Sequence, residues 1–203
     1  TGFTSITVPK TIKTLGDYAF SDCTSLKKVV IKPVGSIGSY VFNRCTALEE
    51  LTLPYAGSSL TAVNNTDSSG RVASRLFNNN VSDKTYYDKW SYYIPNSLKK
   101  ITITGGTRIP TNAFSGFKGV TEFVLPEGIT SIGDYAFYNC ESLPSNPMPS
   151  TVKVIGSHAY DGCKSLKVFT VPSSVETIGS YAFANCTGFT SITVPKTIKT
   201  LGD

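Results

Sequence analysis

Residues 164–186, KSLKVFTVPSSVETIGSYAFANC, contain the pattern that decides the fold. The stretch opens with three apolar residues, Leu166, Phe169 and Val171, and a proline follows them. The last two have the spacing of alternate residues in a β-strand, so both side chains point to one face. Two further apolar positions, a glycine, an Ala-Phe pair and a cysteine complete the unit. The same order recurs in residues 1–23, 24–45, 118–140 and 141–163, and in shortened form in 187–203.

The cysteines give the length of the repeat. Cys140, Cys163 and Cys186 recur at one constant interval, and the interval from Cys23 to Cys45 is shorter by a single position. A unit of this size is too short to bury its own apolar side chains, so successive units must stack and share one core. The pattern therefore predicts a solenoid with parallel strands about 4.8 Å apart.

Each recurring position has a predicted structural role. One cysteine per turn indicates a row of buried free thiols rather than a metal or redox site, which needs ligands that converge on one point. The glycine of each unit is expected at a tight bend of the coil. The aromatic of the Ala-Phe pair is expected in a buried stack, which comprises Phe20, Phe42, Phe77, Phe114, Phe137, Tyr160 and Phe183.

Two units, residues 46–80 and 81–117, are enlarged. The first keeps the usual ending, because Val72 to Phe77 aligns with Ile37 to Phe42, and its extra residues are rich in Gly, Ser, Thr and Asn. The second carries an aromatic insertion, after which the repeat resumes at Leu98. Insertions in solenoids map to loops, often on the binding face.

These units resemble the BspA-like leucine-rich repeats of bacterial and protozoan surface proteins. The match rests on the L-x-x-L-x-L outline, the proline that follows it and the ending I-G-x-x-A-F-x-x-C, as in Leu166 to Cys186. The phrase from Tyr92 to Leu98 is also similar to one that follows insertions in this family. The resemblance implies a right-handed leucine-rich-repeat solenoid of the α/β horseshoe class, with a 3₁₀ or irregular convex side and about eight turns. It also implies a secreted or cell-surface location and adhesion to host matrix proteins or other cells.

One unit departs from the family pattern. In residues 141–163, Asn146 occupies an expected core position, and Pro144 and Pro147 lie within the strand. Because proline cannot donate to a β-ladder, we expect the strand to be broken in this unit.

Composition excludes several classes of protein. The chain is 40% apolar and 16% charged, and its net charge of +5 is too small and too scattered to indicate nucleic-acid binding. No stretch is long and apolar enough to insert into a membrane. We expect a single solenoid domain over residues 1–203 that is a fragment of a longer array, with neither the signal nor the anchor in this segment.

The sequence predicts no enzyme and no cofactor. His158, the only histidine, takes a position that tyrosine fills in other units, and no G-x-S-x-G elbow, phosphate loop or dinucleotide motif is present. A structural or solvent-exposed role is therefore expected for His158.

Two surfaces are candidates for ligand binding. The polar positions of the strands place Lys28, Lys32 and Lys100 among threonines, where they either contact a ligand or simply solvate the sheet. The insertion offers large aromatic contact area for a protein or a sugar, or else folds back over the coil. Its candidate residues are Tyr86, Tyr87, Trp90, Tyr92 and Tyr93.

The leading hypothesis is therefore a non-catalytic module that binds a protein partner, such as a host matrix or cell-surface protein. A structural spacer and a carbohydrate-binding module are the alternatives. Residues 187–203 are identical to residues 1–17, which predicts that the long block 1–186 recurs in the parent protein. Recurrence of the block would make the surface multivalent.

Overall fold

The computed structural model describes residues 2–56, 72–77 and 93–203. Within them the chain winds into a coil of about seven turns with a shortened further turn at residues 187–203, which confirms the predicted leucine-rich-repeat solenoid. A regular turn contributes a strand of three or four residues and a second strand of two. The strands are β1 (Ser5–Val8), β2 (Thr14–Leu15), β3 (Lys28–Ile31), β4 (Ser36–Ile37), β5 (Glu50–Leu53), β6 (Lys100–Ile103), β7 (Arg108–Ile109), β8 (Glu122–Val124), β9 (Ser131–Ile132), β10 (Val154–Ile155), β11 (Val168–Thr170), β12 (Thr177–Ile178), β13 (Ser191–Thr193) and β14 (Thr200–Leu201).

The longer strands form the first sheet, which is parallel and has the order β1-β3-β5-β6-β8. It is interrupted at the proline-containing unit, as predicted, and resumes as the pair β11–β13. Within the first sheet, an isolated bridge from Ser145 to Val168 joins this unit to the next. The Asn146 side chain donates instead to the carbonyl oxygen of Thr170 at 3.3 Å, and Met148 packs against the core.

The shorter strands form the second sheet, which is also parallel. It comprises the pair β2–β4 and the run β7-β9-β10-β12-β14. Between β4 and β7 the chain forms a helix, α1 (Val72–Leu76). The amide of Val72 donates to the carbonyl oxygen of Ala113 at 3.2 Å. The amide of Phe42 donates to the carbonyl oxygen of Leu76 at 2.8 Å. The helix therefore takes its place in the stack between the neighbouring turns.

The predicted aromatic stack lies in the core. Phe114, Phe137, Tyr160 and Phe183 are near-parallel, with centroids 5.6, 5.1 and 5.8 Å apart along the row. The first three are fully buried, and Phe183 is partly buried. Since inward side chains of both sheets pack around this row, one continuous core runs the length of the coil.

The repeated glycine directly precedes the turn of each unit, and the structure gives a reason for glycine there that the sequence pattern did not reveal. At Gly179 an added Cβ would lie 2.5 Å from the nitrogen of Ser157 and 2.7 Å from the carbonyl carbon of Gly156, and Gly133 and Gly156 are equally close to the preceding turn. None of these glycines has a positive φ. The position needs glycine because adjacent turns approach closely there, and not because of a left-handed backbone.

Left-handed backbone occurs instead at two other positions of each regular unit, which the sequence pattern did not reveal. The first lies two residues after the glycine, as in Tyr135, where φ is 55°. There the amide of Tyr135 donates to the carbonyl oxygen of Ser157 in the next turn at 2.9 Å. The first position is occupied by Tyr18, Tyr40, Asn112, Tyr135, His158 and Tyr181, and the second by Asp22, Arg44, Gly116, Asn139, Gly162 and Asn185.

Tyr160 introduces a buried hydroxyl group into the aromatic stack. Its side chain is fully buried, and its oxygen has no hydrogen-bond partner among the described residues. Burial also raises the pKa of Tyr160 well above its ordinary value. Because an unpaired buried hydroxyl is destabilising, we expect Tyr160→Phe to raise the free energy of unfolding by about 1–2 kcal/mol in urea denaturation. The matched control, Phe137→Tyr, should lower the free energy of unfolding. A loss of stability in Tyr160→Phe would contradict the assignment of an unpaired hydroxyl.

Candidate binding surfaces

The outward side chains of the first sheet, on both sides of the proline-containing unit, form a surface that we call the strand face. Its central row contains Thr7, Thr52, Thr102, Thr170 and Thr193, all exposed or half-buried, as the sequence predicted. Val30 and Val124 fill the same row in β3 and β8. The parallel register aligns these residues from turn to turn, so the row is a regular arrangement of threonines and two valines.

Lys28 and Lys100 lie on the strand face, where carboxylates of the next turn pair with them. The Nζ of Lys28 lies 2.6 Å from Glu50, and that of Lys100 lies 2.6 Å from Glu122. The hydrogen bond from Lys28 and its charge lower the pKa of Glu50. The row therefore alternates in sign, and two of the predicted contact lysines are partly neutralised. Lys32 is exposed at the position where other units have proline.

A similar row follows the cysteine positions. Glu141 lies between Lys118 and Lys164, with both Nζ atoms 3.0 Å from its carboxylate oxygens. Burial tends to raise the pKa of Glu141, but the hydrogen bonds from Lys118 and Lys164 outweigh it and the pKa is lowered. Sequence reasoning missed these pairings, although the alternation of Lys and Glu at the interval of the repeat was a readable signal.

The aromatic candidates Tyr86, Tyr87, Trp90 and Tyr92 lie outside the described residues. Tyr93 is described and is half-buried next to Ile94, which is buried. Downstream, the hydroxyl of Ser97 donates to the carbonyl oxygens of Thr46 and Leu48 at 2.9 and 2.7 Å. The chain is therefore tied into the coil by residue 97.

The first sheet keeps its register across both insertions. Lys28 pairs with Glu50 across one ordinary repeat unit, whereas Glu50 pairs with Lys100 across a stretch more than twice as long that contains both insertions. All four residues of β5 align with all four of β6. The coil therefore needs none of the extra residues for its sheet.

His158 lies between two tyrosine rings. Its ring centroid is 4.6 Å from that of Tyr135 and 5.0 Å from that of Tyr181, and all three rings are near-parallel. Its Nδ1 is 2.8 Å from a carboxylate oxygen of Asp161, which is buried and also accepts from Asn185. These contacts give His158 the structural role expected from its repeat position.

The described residues also bear on metal binding and on membrane insertion. In residues 2–56, 72–77 and 93–203, no group of three or more His, Cys, Asp or Glu side chains is arranged to hold a metal ion. The one helix described there, α1, is far too short to cross a bilayer.

Comparison with solved structures agrees with the coil. A leucine-rich repeat protein from Bacteroides ovatus matches 99% of this chain at 24% identity with a TM-score of 0.50, and the chain spans 66% of that protein. The leucine-rich repeat protein of T. pallidum matches 98% at 21% identity with a TM-score of 0.51, and here the chain spans 73%. A leucine rich cell surface protein from Faecalibacterium prausnitzii matches 98% at 22% identity with a TM-score of 0.40, and the chain spans 69% of it.

No curated protein matches the chain. The family model for the BspA type leucine rich repeat region matches it in six copies, which cover residues 1–82 and 84–203. The repeat pattern, the parallel coil and this match agree, and the chain belongs to the BspA-type leucine-rich-repeat family.

Proposed function

We propose that this chain is a non-catalytic module of a secreted or cell-surface protein that binds a protein partner through its aromatic insertion and its strand face. The observation that carries the proposal is the unbroken register between β5 and β6. Because the sheet closes without the inserted residues, they are available for contacts outside the coil. The family relationship supports the same interpretation.

The aromatic side chains are proposed as the anchors of this contact. Tyr and Trp dominate binding hot spots, since they bury large areas at a low cost in conformational entropy. The strand face is proposed as the accompanying polar surface, in which Lys32 is exposed and Lys28 and Lys100 are paired.

Replacing Tyr86, Tyr87, Trp90 and Tyr92 together by serine tests the proposal. We expect binding to immobilised extracellular-matrix proteins or to partner cells to weaken about 100-fold, because losing a cluster of aromatic anchors costs several kcal/mol. Thermal unfolding should be unchanged, since the coil does not depend on these side chains. Biosensor titration and circular dichroism measure the two quantities.

A charge-swapped variant serves as the control. Replacing Lys28 and Lys100 by glutamate and Glu50 and Glu122 by lysine keeps the ion pairs on the strand face but reverses their direction. A ligand bound through the insertion alone should bind this variant normally, whereas a ligand that also contacts the strand face should bind it less well.

Other outcomes of these measurements separate the alternatives. If the wild-type chain binds none of the matrix proteins and cell types, the result would favour a structural spacer. Quenching of Trp90 fluorescence by a glycan, without protein binding, would favour a carbohydrate-binding module, and Trp90 is the only tryptophan of the chain.

A further inference from the structure

The aromatic rings at the corner of the coil form a surface distinct from the strand face and the insertion. We define the corner segments as the residues between the glycine and cysteine positions of the units whose corner is described in full, which are 17–22, 39–44, 111–116, 134–139, 157–162 and 180–185. In three consecutive turns the rings of Tyr135, His158 and Tyr181 stack in a column, and Tyr138 packs edge-on against Tyr135 at 5.6 Å.

The column is not required by the backbone of the corner. A bulky residue with positive φ is uncommon, whereas asparagine and glycine take this conformation readily. Asn112 occupies the same position with φ of 59°, and the second left-handed position is filled by Asp, Arg, Asn or Gly. The fold therefore accepts small polar residues where it carries tyrosine and histidine.

The column also lies outside the core. Tyr135 and His158 are only half-buried, although His158 is covered by a ring on each side. Because the ring faces cover one another, the side chains present their edges and the tyrosine hydroxyl oxygens to solvent. A sugar ring, which stacks on an aromatic face, gains little from such a surface, whereas hydrogen-bond donors and flexible aliphatic chains fit it.

Charge is segregated at the same corner. The three corner segments of the column, 134–139, 157–162 and 180–185, contain Asp134 and Asp161 and neither lysine nor arginine, which gives a net charge of −2. Since the whole chain carries +5, the remaining residues carry +7. The corner is therefore the acidic side of a basic protein, and long-range attraction favours a cationic partner there.

We propose that the corner column is a second docking surface, which takes a lysine- or arginine-rich segment of a partner protein. The aliphatic stems of such a segment pack on the ring edges, and their charged groups donate to the tyrosine oxygens and face the exposed Asp134. This proposal goes beyond the function proposed above, because none of its residues belongs to the insertion or the strand face.

A short fluorescent peptide of alternating arginine and serine is the probe, with a glutamate–serine peptide as the comparison. Wild-type chain should bind the arginine peptide and not the glutamate peptide, and added salt should weaken the binding. The double variant Tyr135→Asn with Tyr181→Asn should lose about tenfold or more in affinity, and Asn112 shows that the fold accepts this residue. Tyr135→Phe with Tyr181→Phe keeps both rings and should lose less.

Two further measurements complete the test. Nitration of tyrosine, mapped by mass spectrometry, should be suppressed at Tyr135 and Tyr181 by the arginine peptide in the unaltered chain, so this result needs no variant to fold. The serine variant of the insertion should bind the peptide as wild type does, which separates this proposal from the function proposed above. No binding of the arginine peptide, or equal binding by the folded asparagine variant, overturns the proposal.

Discussion

Gly179→Ala is expected to destabilise the coil by about 3 kcal/mol or more, a larger cost than most single substitutions produce. The new Cβ would lie 2.5 Å from the nitrogen of Ser157 and 2.7 Å from the carbonyl carbon of Gly156. Both are backbone atoms that no side-chain rotation can move. The turns would have to separate, which would lengthen the hydrogen bond that Gly179 donates to the carbonyl oxygen of Ile155, now 2.8 Å.

The chain contains its own control for this prediction. Gly16 occupies the same repeat position in the first turn of this chain, where no described residue lies within 4 Å of an added Cβ. Gly16→Ala should be neutral or slightly stabilising, because alanine reduces the entropy of the unfolded chain. Urea unfolding of both variants measures the difference. Equal effects at the two positions would show that close packing of adjacent turns is not what demands glycine.

The second large effect is a loss of stability at alkaline pH, caused by the row of cysteines. Cys45, Cys140, Cys163 and Cys186 are buried and free. Each thiol donates to the carbonyl oxygen of an aromatic residue in the stack of the preceding turn, as Cys163 does to Phe137 at 3.2 Å. Burial raises the pKa of Cys45 to about 12 and that of Cys186 to about 11, and it raises those of Cys140 and Cys163 further.

The direction of the pH effect follows from these shifts. A thiol of the unfolded chain ionises near pH 9, whereas the folded chain holds it neutral until pH 11 or above. Stability is therefore complete below pH 9 and is lost as the pH rises towards the folded pKa. Each thiol removes up to about 1.4 kcal/mol per pH unit in this range.

Urea unfolding between pH 7 and pH 11 measures this loss. Cys163→Ser is the matched variant, because serine can donate to the same carbonyl oxygen and does not ionise in this range. Its stability should fall less steeply than that of wild type. Below pH 9, a thiol reagent should leave the four buried cysteines unmodified in the folded chain and should react with the half-buried Cys23 first. A flat pH profile, or rapid modification of all five thiols, would contradict the account.

The repeat pattern was sufficient to predict the coil, its aromatic stack and the break at Pro144 and Pro147. The apolar spacing and the prolines act within each unit. Equivalent positions of successive units then stack on one another. The reason for the glycine could not be found in this way, because the clash involves backbone atoms of the preceding turn. The tyrosines with left-handed backbone were missed as well, since residue preference favours Asn or Gly at such positions.

The binding surfaces were less predictable than the coil. Lys28 and Lys100 were recognised as outward-facing, but their partners Glu50 and Glu122 become neighbours only once the turns are in register. The register between β5 and β6 also spans insertions whose length a simple repeat does not specify. The aromatic residues from Tyr86 to Tyr92 remain predictions from sequence, and their role depends on the binding measurement proposed above.

Amide hydrogen exchange gives the most direct test of the separation between a rigid coil and a binding insertion. Residues 82–92 are replaced by a glycine–serine linker of equal length, and exchange is measured in β5, β6 and α1. Unchanged protection in all three elements is expected, because their hydrogen bonds are made within the coil. Loss of protection in β5 and β6 would show that the insertion is part of the scaffold, and would contradict the account.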